Sequence, residues 1–314
     1  MKVVARAGNP EVAMVYVVDF GGKLVECVEA VQPPIPREEK WVLMISTLFG
    51  CPVACQICDA GGYYQGKVSA DEMLQQIEYL ISRRYPEGYV PSRQFKIQLA
   101  RMGEPALNKA VLDLLENLPD QISAPGLMPS LSTIAPHGRE EFFERLLEIK
   151  DRVYPGGQFQ LQFSVHTTDL ELRDRLLPVK KWGFSEIAAY GRRFYSPGDR
   201  KITLNFALAD SSPVEVGALE KYFDPDLFLI KITPLNPTYQ AEQHQLESYI
   251  KGPDQNVNDP LLEAIRKAGY QVILSVGELE ENEIGSNCGQ YVQRHLLAER
   301  HLGAGYTYQV EGSV

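Results

Sequence analysis

Three of the chain's five cysteines fall within one short stretch, Gly50-Cys51-Pro52-Val53-Ala54-Cys55-Gln56-Ile57-Cys58, spaced C-x3-C-x2-C. Thiolates are soft ligands, and three so close in sequence can converge on one metal centre. A structural zinc site closes with four protein ligands, and an ordinary 4Fe–4S cluster is held by four cysteines. Three thiolates therefore leave one iron of such a cluster without a protein ligand, open to a bound molecule. The competing reading is a zinc knuckle with a fourth ligand from Cys288 or His166. Cys288 lies in a small polar loop, Gly285-Ser286-Asn287-Cys288-Gly289, a setting that suits a nucleophile better than a packed structural thiol. Cys27 lies in an apolar run and reads as a small buried strand residue.

Something must position these thiols. Residues 12–20 and 24–31 are strand-like and joined by Asp19-Phe20-Gly21-Gly22-Lys23, which reads as a hairpin. From Trp41 onward strands and helices alternate. Strands are expected over 41–47, 94–101, 129–134, 159–166, 201–209, 227–234 and 271–277. Helices are expected near 70–84, 108–118, 138–152, 184–194, 213–223 and 259–269. Ser69 and Glu72 form a capping box before the first helix, and Met73, Leu74, Ile77, Leu80 and Ile81 fall on one of its faces. Repeated β-α units imply an α/β fold with a parallel sheet, open or curled into a barrel.

Parallel strands covered on both faces are apolar throughout, yet several here alternate. Lys96, Gln98, Gln160, Gln162, Ser164, His166, Thr203, Asn205 and Ser275 would share one face, with apolar residues on the other. A curled sheet with a polar, ligand-holding concave side accounts for this pattern. Active sites in such barrels gather at the C-terminal strand ends, where Cys51 to Cys58 sit.

Composition narrows the function classes. With 314 residues, 44% of them hydrophobic, the chain can bury one large core. An odd cysteine count with three crowded together does not read as a disulfide framework. No apolar leader or membrane-length run appears, so a cytoplasmic protein without membrane contact is expected. A net charge of −10 lacks the basic footprint of an obligate nucleic-acid binder, and RNA is a disfavoured partner on that ground. The long polar loop 237–260 could serve as a lid or a partner surface.

Further residues carry a resemblance. The cysteine spacing is similar to that of radical S-adenosylmethionine (SAM) enzymes, and Gly103-Glu104-Pro105 is similar to their GEP segment. Ser132-Thr133, Ser164-Val165-His166, the segment from Leu170 to Pro178, Pro234-Leu235-Asn236-Pro237 and Asn287-Cys288-Gly289-Gln290 follow in order. Together they resemble the RlmN/Cfr family of radical SAM RNA methyltransferases, over about residues 24 to 295. The resemblance implies a partial (β/α)6 barrel over 41–285, preceded by a β-hairpin extension over 1–40 and followed by a loop and helix over 286–314. It implies a 4Fe–4S cluster on Cys51, Cys55 and Cys58, with SAM contacted by Gly103, Glu104, Ser132, Ser164, His166 and Asn236. A low-potential donor such as flavodoxin or ferredoxin would supply electrons.

The family's route implies two further roles. Cys288 would take a methyl from one SAM, and a deoxyadenosyl radical from a second SAM would activate that S-methyl group for attack on an sp2 ring carbon. Glu29 resembles a hairpin glutamate assigned as a proton acceptor, with Glu26 its nearest rival. The chain departs from the family at Met44, seven residues before Cys51. There the family has a second cysteine, which resolves the adduct through a disulfide. A thioether can do neither half of that task. The family's N-terminal RNA-binding domain has no counterpart before the hairpin. An alternative is a radical SAM enzyme that abstracts hydrogen directly from a small molecule or peptide. A third is a non-catalytic paralogue with a decayed centre.

Overall fold

The computed structural model describes residues 1–251, 259–298, 302 and 305–312. Its strands and helices are β1 (Lys2–Asn9), β2 (Ala13–Asp19), β3 (Leu24–Ala30), β4 (Lys40–Ile45), β5 (Leu48–Phe49), β6 (Gly66–Lys67), α1 (Ala70–Arg84), β7 (Gln94–Leu99), α2 (Ala110–Gln121), β8 (Leu127–Thr133), α3 (Glu140–Val153), β9 (Gln160–Ser164), α4 (Leu170–Leu176), α5 (Phe184–Phe194), β10 (Ile202–Leu208), α6 (Val216–Tyr222), β11 (Phe228–Pro234), α7 (Tyr239–Gln243), α8 (Pro260–Lys267), β12 (Val272–Leu274), α9 (Leu279–Ile284), α10 (Val292–Leu296) and β13 (Glu311–Gly312).

One sheet carries nearly all the strands, in the order β12-β11-β10-β9-β8-β7-β4-β3-β2-β1-β13. From β4 to β12 every neighbouring pair is parallel, and from β4 back to β13 every pair is antiparallel. The fold is α/β, as the alternation of strand and helix patterns indicates. The expected hairpin gains a third strand. β1 pairs with β2 through a register shift between Val3 and Ala5, and that irregularity, with Gly8, breaks the period-2 pattern that would have announced it. Loop 237–260 contains α7, and its residues 252–258 lie outside the described ones.

The parallel register sorts side chains to two faces. Leu43, Ile97, Leu131, Phe163, Leu204 and Ile230 are buried beneath the helices. α1 shows why they are covered. Ser69 Oγ accepts from Glu72 N at 3.2 Å while Glu72 Oε2 accepts from Ser69 N at 2.8 Å, which fixes the helix start. Met73, Ile77, Leu80 and Ile81 are then buried, each removing apolar area worth roughly 1.5–3 kcal/mol. Leu74 is only partly buried on that face.

The other face keeps the polar residues. Met44, Gln98 and Ser130 are neighbours across β4, β7 and β8. Ser132, Gln162 and Thr203 are neighbours across β8, β9 and β10, and Asn205 stands beside Lys231 across β10 and β11. This face is concave. Lys96 in β7 and Lys231 in β11 are four strand steps apart, which in a flat sheet is roughly 19 Å, beyond the screening length of physiological salt. Yet burial, aided by Lys231, brings the Lys96 amine down to about 7. Arg101, two residues past β7, and Asn236, two residues past β11, donate to adjacent carbonyls of one loop, Asn287 O and Cys288 O, so the sheet is curled and carries both lysines on its concave side. Among the described residues no strand pairing closes it, as a partial barrel requires. No helix among them is long and apolar enough to cross a membrane.

Candidate active site

The thiol loop leaves the end of β4 through β5 and turns at Gly50. Gly50 has φ +75°, and a Cβ there would stand 2.8 Å from the Tyr63 carbonyl, so only glycine lets the chain turn into Cys51. Backbone bonds then fold the loop on itself. Cys51 N donates to Ala60 O at 2.8 Å and Cys58 N to Cys55 O at 3.2 Å. Outside contacts hold it in place. Gln56 N donates to Leu176 O at 3.0 Å. Asp59, almost fully buried, accepts from Tyr239 N at 3.1 Å and Gln240 N at 3.0 Å. One carboxylate thus pins the thiol loop to the segment that follows β11.

Cys51 is buried and Cys55 and Cys58 are partly so. Burial raises the pKa of all three, and repulsion from neighbouring thiolates adds to it at Cys55 and Cys58. Thiols held this way become thiolates when cations compensate them, which is what an iron–sulfur cluster provides. Among the described residues no three cysteine, histidine or carboxylate groups are gathered tightly enough for one ion. In a 4Fe–4S cube each thiolate binds a different iron, so the sulfurs stand apart. The trio fits that group better than a zinc ion, and His166 is already committed elsewhere.

Beside the thiols lies the end of β7. Gly103 has φ +101°, and a Cβ there would come within 2.5 Å of Leu48. Its glycine identity is what seats Glu104 against the loop. Glu104 is buried, and it accepts from Ala106 N at 3.0 Å, from Ile134 N at 2.9 Å and from the Thr133 hydroxyl. Burial pushes its pKa up to about 7, and its charge in turn raises those of Cys51 and Cys55. A carboxylate so placed, with three donors already aligned, suits an incoming ammonium group.

Ser132 Oγ accepts from Gln162 Nε2 at 3.1 Å, and Ser164 closes β9 on the same concave face. His166 adopts φ +67°, a conformation that costs energy in a non-glycine residue and is retained where surroundings impose it. Its Nδ1 accepts from Ala207 N at 3.1 Å, which leaves the proton on Nε2. Burial, helped by Arg173, lowers its pKa to about 4. His166 is a neutral Nε2–H donor.

The C-terminal loop is brought to these residues from far along the chain. Asp59 N donates to Gly289 O at 2.9 Å. A Cβ on Gly289, which has φ +86°, would stand 2.8 Å from Ile57 O and 3.5 Å from Cys58 Cα. Asn236 Nδ2 donates to Cys288 O at 3.0 Å. The Cys58 thiol donates to the Tyr291 hydroxyl at 3.9 Å, and that hydroxyl donates to Arg101 O. Arg101 forms the deepest link. Its guanidinium donates to Ser286 O at 2.9 Å, Asn287 O at 3.1 Å and Gly285 O at 2.9 Å, and pairs with Glu26 at 2.6 Å. Cys288 itself remains exposed. The protein around its sulfur raises the thiol pKa, against which Arg101 and Lys231 act.

Two expectations meet a different arrangement. Glu29 pairs in register with Leu43, on the helix-facing side of the sheet, where it accepts from Tyr16 at 3.0 Å and pairs with Arg84 at 2.7 Å. It is not brought to the thiols. Its rival Glu26 faces the other way, yet it is consumed by Arg101 and by Gln293 N at 2.8 Å. Cys27 is fully buried beside Glu29, as its apolar run suggests. Met44 does face the concave side, packing against the cluster that includes Ile284 and Val292.

No family model matches the chain. Curated relatives do. The dual-specificity RNA methyltransferase RlmN of Marinobacter nauticus is 27% identical over 270 residues, covering 83% of this chain and 68% of the relative. The probable dual-specificity RNA methyltransferase RlmN of Cutibacterium acnes is 27% identical over 288 residues, covering 86% and 66%. A crystal structure of a radical SAM methyltransferase from Sphaerobacter thermophilus superposes with TM-score 0.73 at 21% identity, over 92% of this chain and 80% of that one. The chain is an RlmN/Cfr-like radical SAM protein, and an enzyme. It spans about two thirds of the length of those RlmN relatives. Within that likeness the cysteine loop, Glu104 and Cys288 form one contiguous centre. Arg101, Asp59 and Tyr291, which hold the centre together, were not singled out from the sequence, and Glu26 was named only as a rival base and not as the partner of Arg101. Their partners lie up to 267 positions away, and only the charged Asp59 directly after Cys58 offered a local hint.

Proposed function

We propose that this enzyme is a methyltransferase that carries a methyl group from SAM on Cys288 and delivers it to an sp2 carbon of a ring. The observation that carries this reading is the seating of Gly289 on Ile57 and Cys58, which sets Cys288 beside the loop of three thiols. Cys51, Cys55 and Cys58 would hold a 4Fe–4S cluster, which when bound supplies the electron that cleaves SAM. Glu104 would accept the SAM ammonium group, with Gly103, Ser132, Ser164, His166 and Asn236 lining the rest of its site.

In the first half-reaction the Cys288 thiol loses its proton through its exposed side, favoured by Arg101 and Lys231. The thiolate lone pair forms a bond to the SAM methyl carbon. The sulfonium–methyl bond breaks, its electron pair stays on sulfur, and S-adenosylhomocysteine leaves. Asn236 and Arg101 hold the loop backbone so that the sulfur is presented to the ligand.

The test is SAM turnover by anaerobic, cluster-reconstituted protein without added substrate. One equivalent of S-adenosylhomocysteine per chain is expected from the wild type and none from Cys288→Ala. Equal release from both proteins, or none from the wild type, would overturn the reading.

A further inference from the structure

The concave face below Cys288 carries two lysines, of which Lys231 enters the proposed chemistry only by favouring the Cys288 thiolate and Lys96 does not enter it at all. Lys96 and Lys231 are both half-buried and lie on the same concave face. Among the described residues neither has a carboxylate within ion-pair distance, although many other lysines and arginines do. Their register neighbours are neutral: Val42 and Met128 beside Lys96, Asn205 and Ile273 beside Lys231. Lys40 and Arg200 add further positive charge to Lys96. The nearest opposing groups are the Cys288 thiol and Glu281, which act on Lys231, and Glu281 Oε2 is already committed to Glu278 N at 3.1 Å.

Partly desolvated like charges without partners are unfavourable, and in a chain of net charge −10 a cationic interior runs against the overall balance. Such an arrangement is stable where a ligand completes it. A second observation points the same way. Asn205, register neighbour of Lys231, is more than nine-tenths buried, and its Oδ1 has no hydrogen-bond partner. It is an acceptor awaiting a donor.

We propose that this face binds the substrate as a small molecule bearing a carboxylate or phosphate, clasped by Lys96 and Lys231, with an N–H or O–H donated to Asn205 Oδ1. The proposal rests on the methyl-transfer reading for the identity of the site, since it places the substrate under Cys288. A small anionic group can reach lysines recessed on this face, whereas a folded polynucleotide would present its phosphates at the rim, where the overall charge repels it.

The experiment is calorimetric titration of anaerobic holoprotein, saturated with SAM, using adenosine 5′-monophosphate, glutarate, inorganic phosphate and uncharged adenosine as probes. At least one anion is expected to bind and adenosine to bind at least tenfold more weakly. Lys96→Met and Lys231→Met should each weaken the anion on the order of tenfold while leaving SAM affinity within about twofold. Their melting temperatures should be equal to or above that of the wild type, because an unpaired charge has been removed. The proposal is overturned if no anion binds, if the lysine variants leave anion binding unchanged, or if either variant unfolds. Parallel loss of SAM affinity would assign the lysines to the SAM carboxylate and overturn it too. So would displacement of the anion by transfer RNA in a lysine-dependent manner. Methylation of Cys288 is read in the same wild-type samples. Its absence would sink the methyl-transfer reading while the anion titration stood or fell on its own.

Discussion

At the scale of single residues, the proposed chemistry turns on Cys288 and Met44. Cys288 is the exposed thiol beside the three-cysteine loop, while Met44 faces the same concave side with a sulfur that can neither exchange nor accept a proton. A carbon attached to Cys288 would find no second thiol there, and Cys27 lies on the opposite face of the sheet. His166 makes a separate, measurable contribution. Its pKa lies near 4 in the fold against an ordinary 6.5, so between those values the unfolded chain binds a proton that the folded chain does not. Stability is therefore lost as pH falls from about 6.5 toward 4, by of order 3 kcal/mol in full. Urea unfolding of wild type and His166→Gln at pH 7.5 and 4.5 should show a smaller acid loss in the variant. An identical loss would mean that His166 is not held neutral by burial.

At the scale of elements, the decisive contact is the one that ties the end of β7 to the loop after α9. Arg101 and Glu26 are both essentially sealed from solvent. Removing one partner leaves the other as an uncompensated buried charge, and here it also strips the donors from three carbonyls of the Cys288 loop. Arg101→Met should destabilise the protein by about 3–5 kcal/mol. Pairing it with Glu26→Met should recover a substantial part of that loss. Denaturant midpoints of the two single variants and the double variant measure this directly. Strict additivity would show that the pair is not coupled.

Across the whole molecule, the parallel half was readable from local signals. The period-2 strands, the Ser69–Glu72 box and the apolar stripe of α1 are written within a few residues of one another. The polar face was readable too, because Gln98, Gln162 and Asn205 alternate with buried neighbours. What could not be read was which of two adjacent carboxylates on β3 faces inward. Glu26 and Glu29 are both nearly fully buried; their odd spacing sends them to opposite faces of any strand, and only the register of β3 with β4 shows which of them faces inward. The centre itself was half legible. Cys51, Cys55, Cys58, Glu104 and Cys288 announce themselves by type and spacing, while the bonds that unite them join segments with no local pattern in common.

The central claim is that Cys288 accepts a methyl group from SAM. It is tested most directly by incubating anaerobic, reconstituted protein with SAM labelled in its methyl group, digesting it, and mapping the label by mass spectrometry. One labelled methyl per chain is expected, on the peptide containing Cys288. Release of 5′-deoxyadenosine with Cys288 unmodified would contradict it, and would point to an enzyme that abstracts hydrogen from its substrate directly.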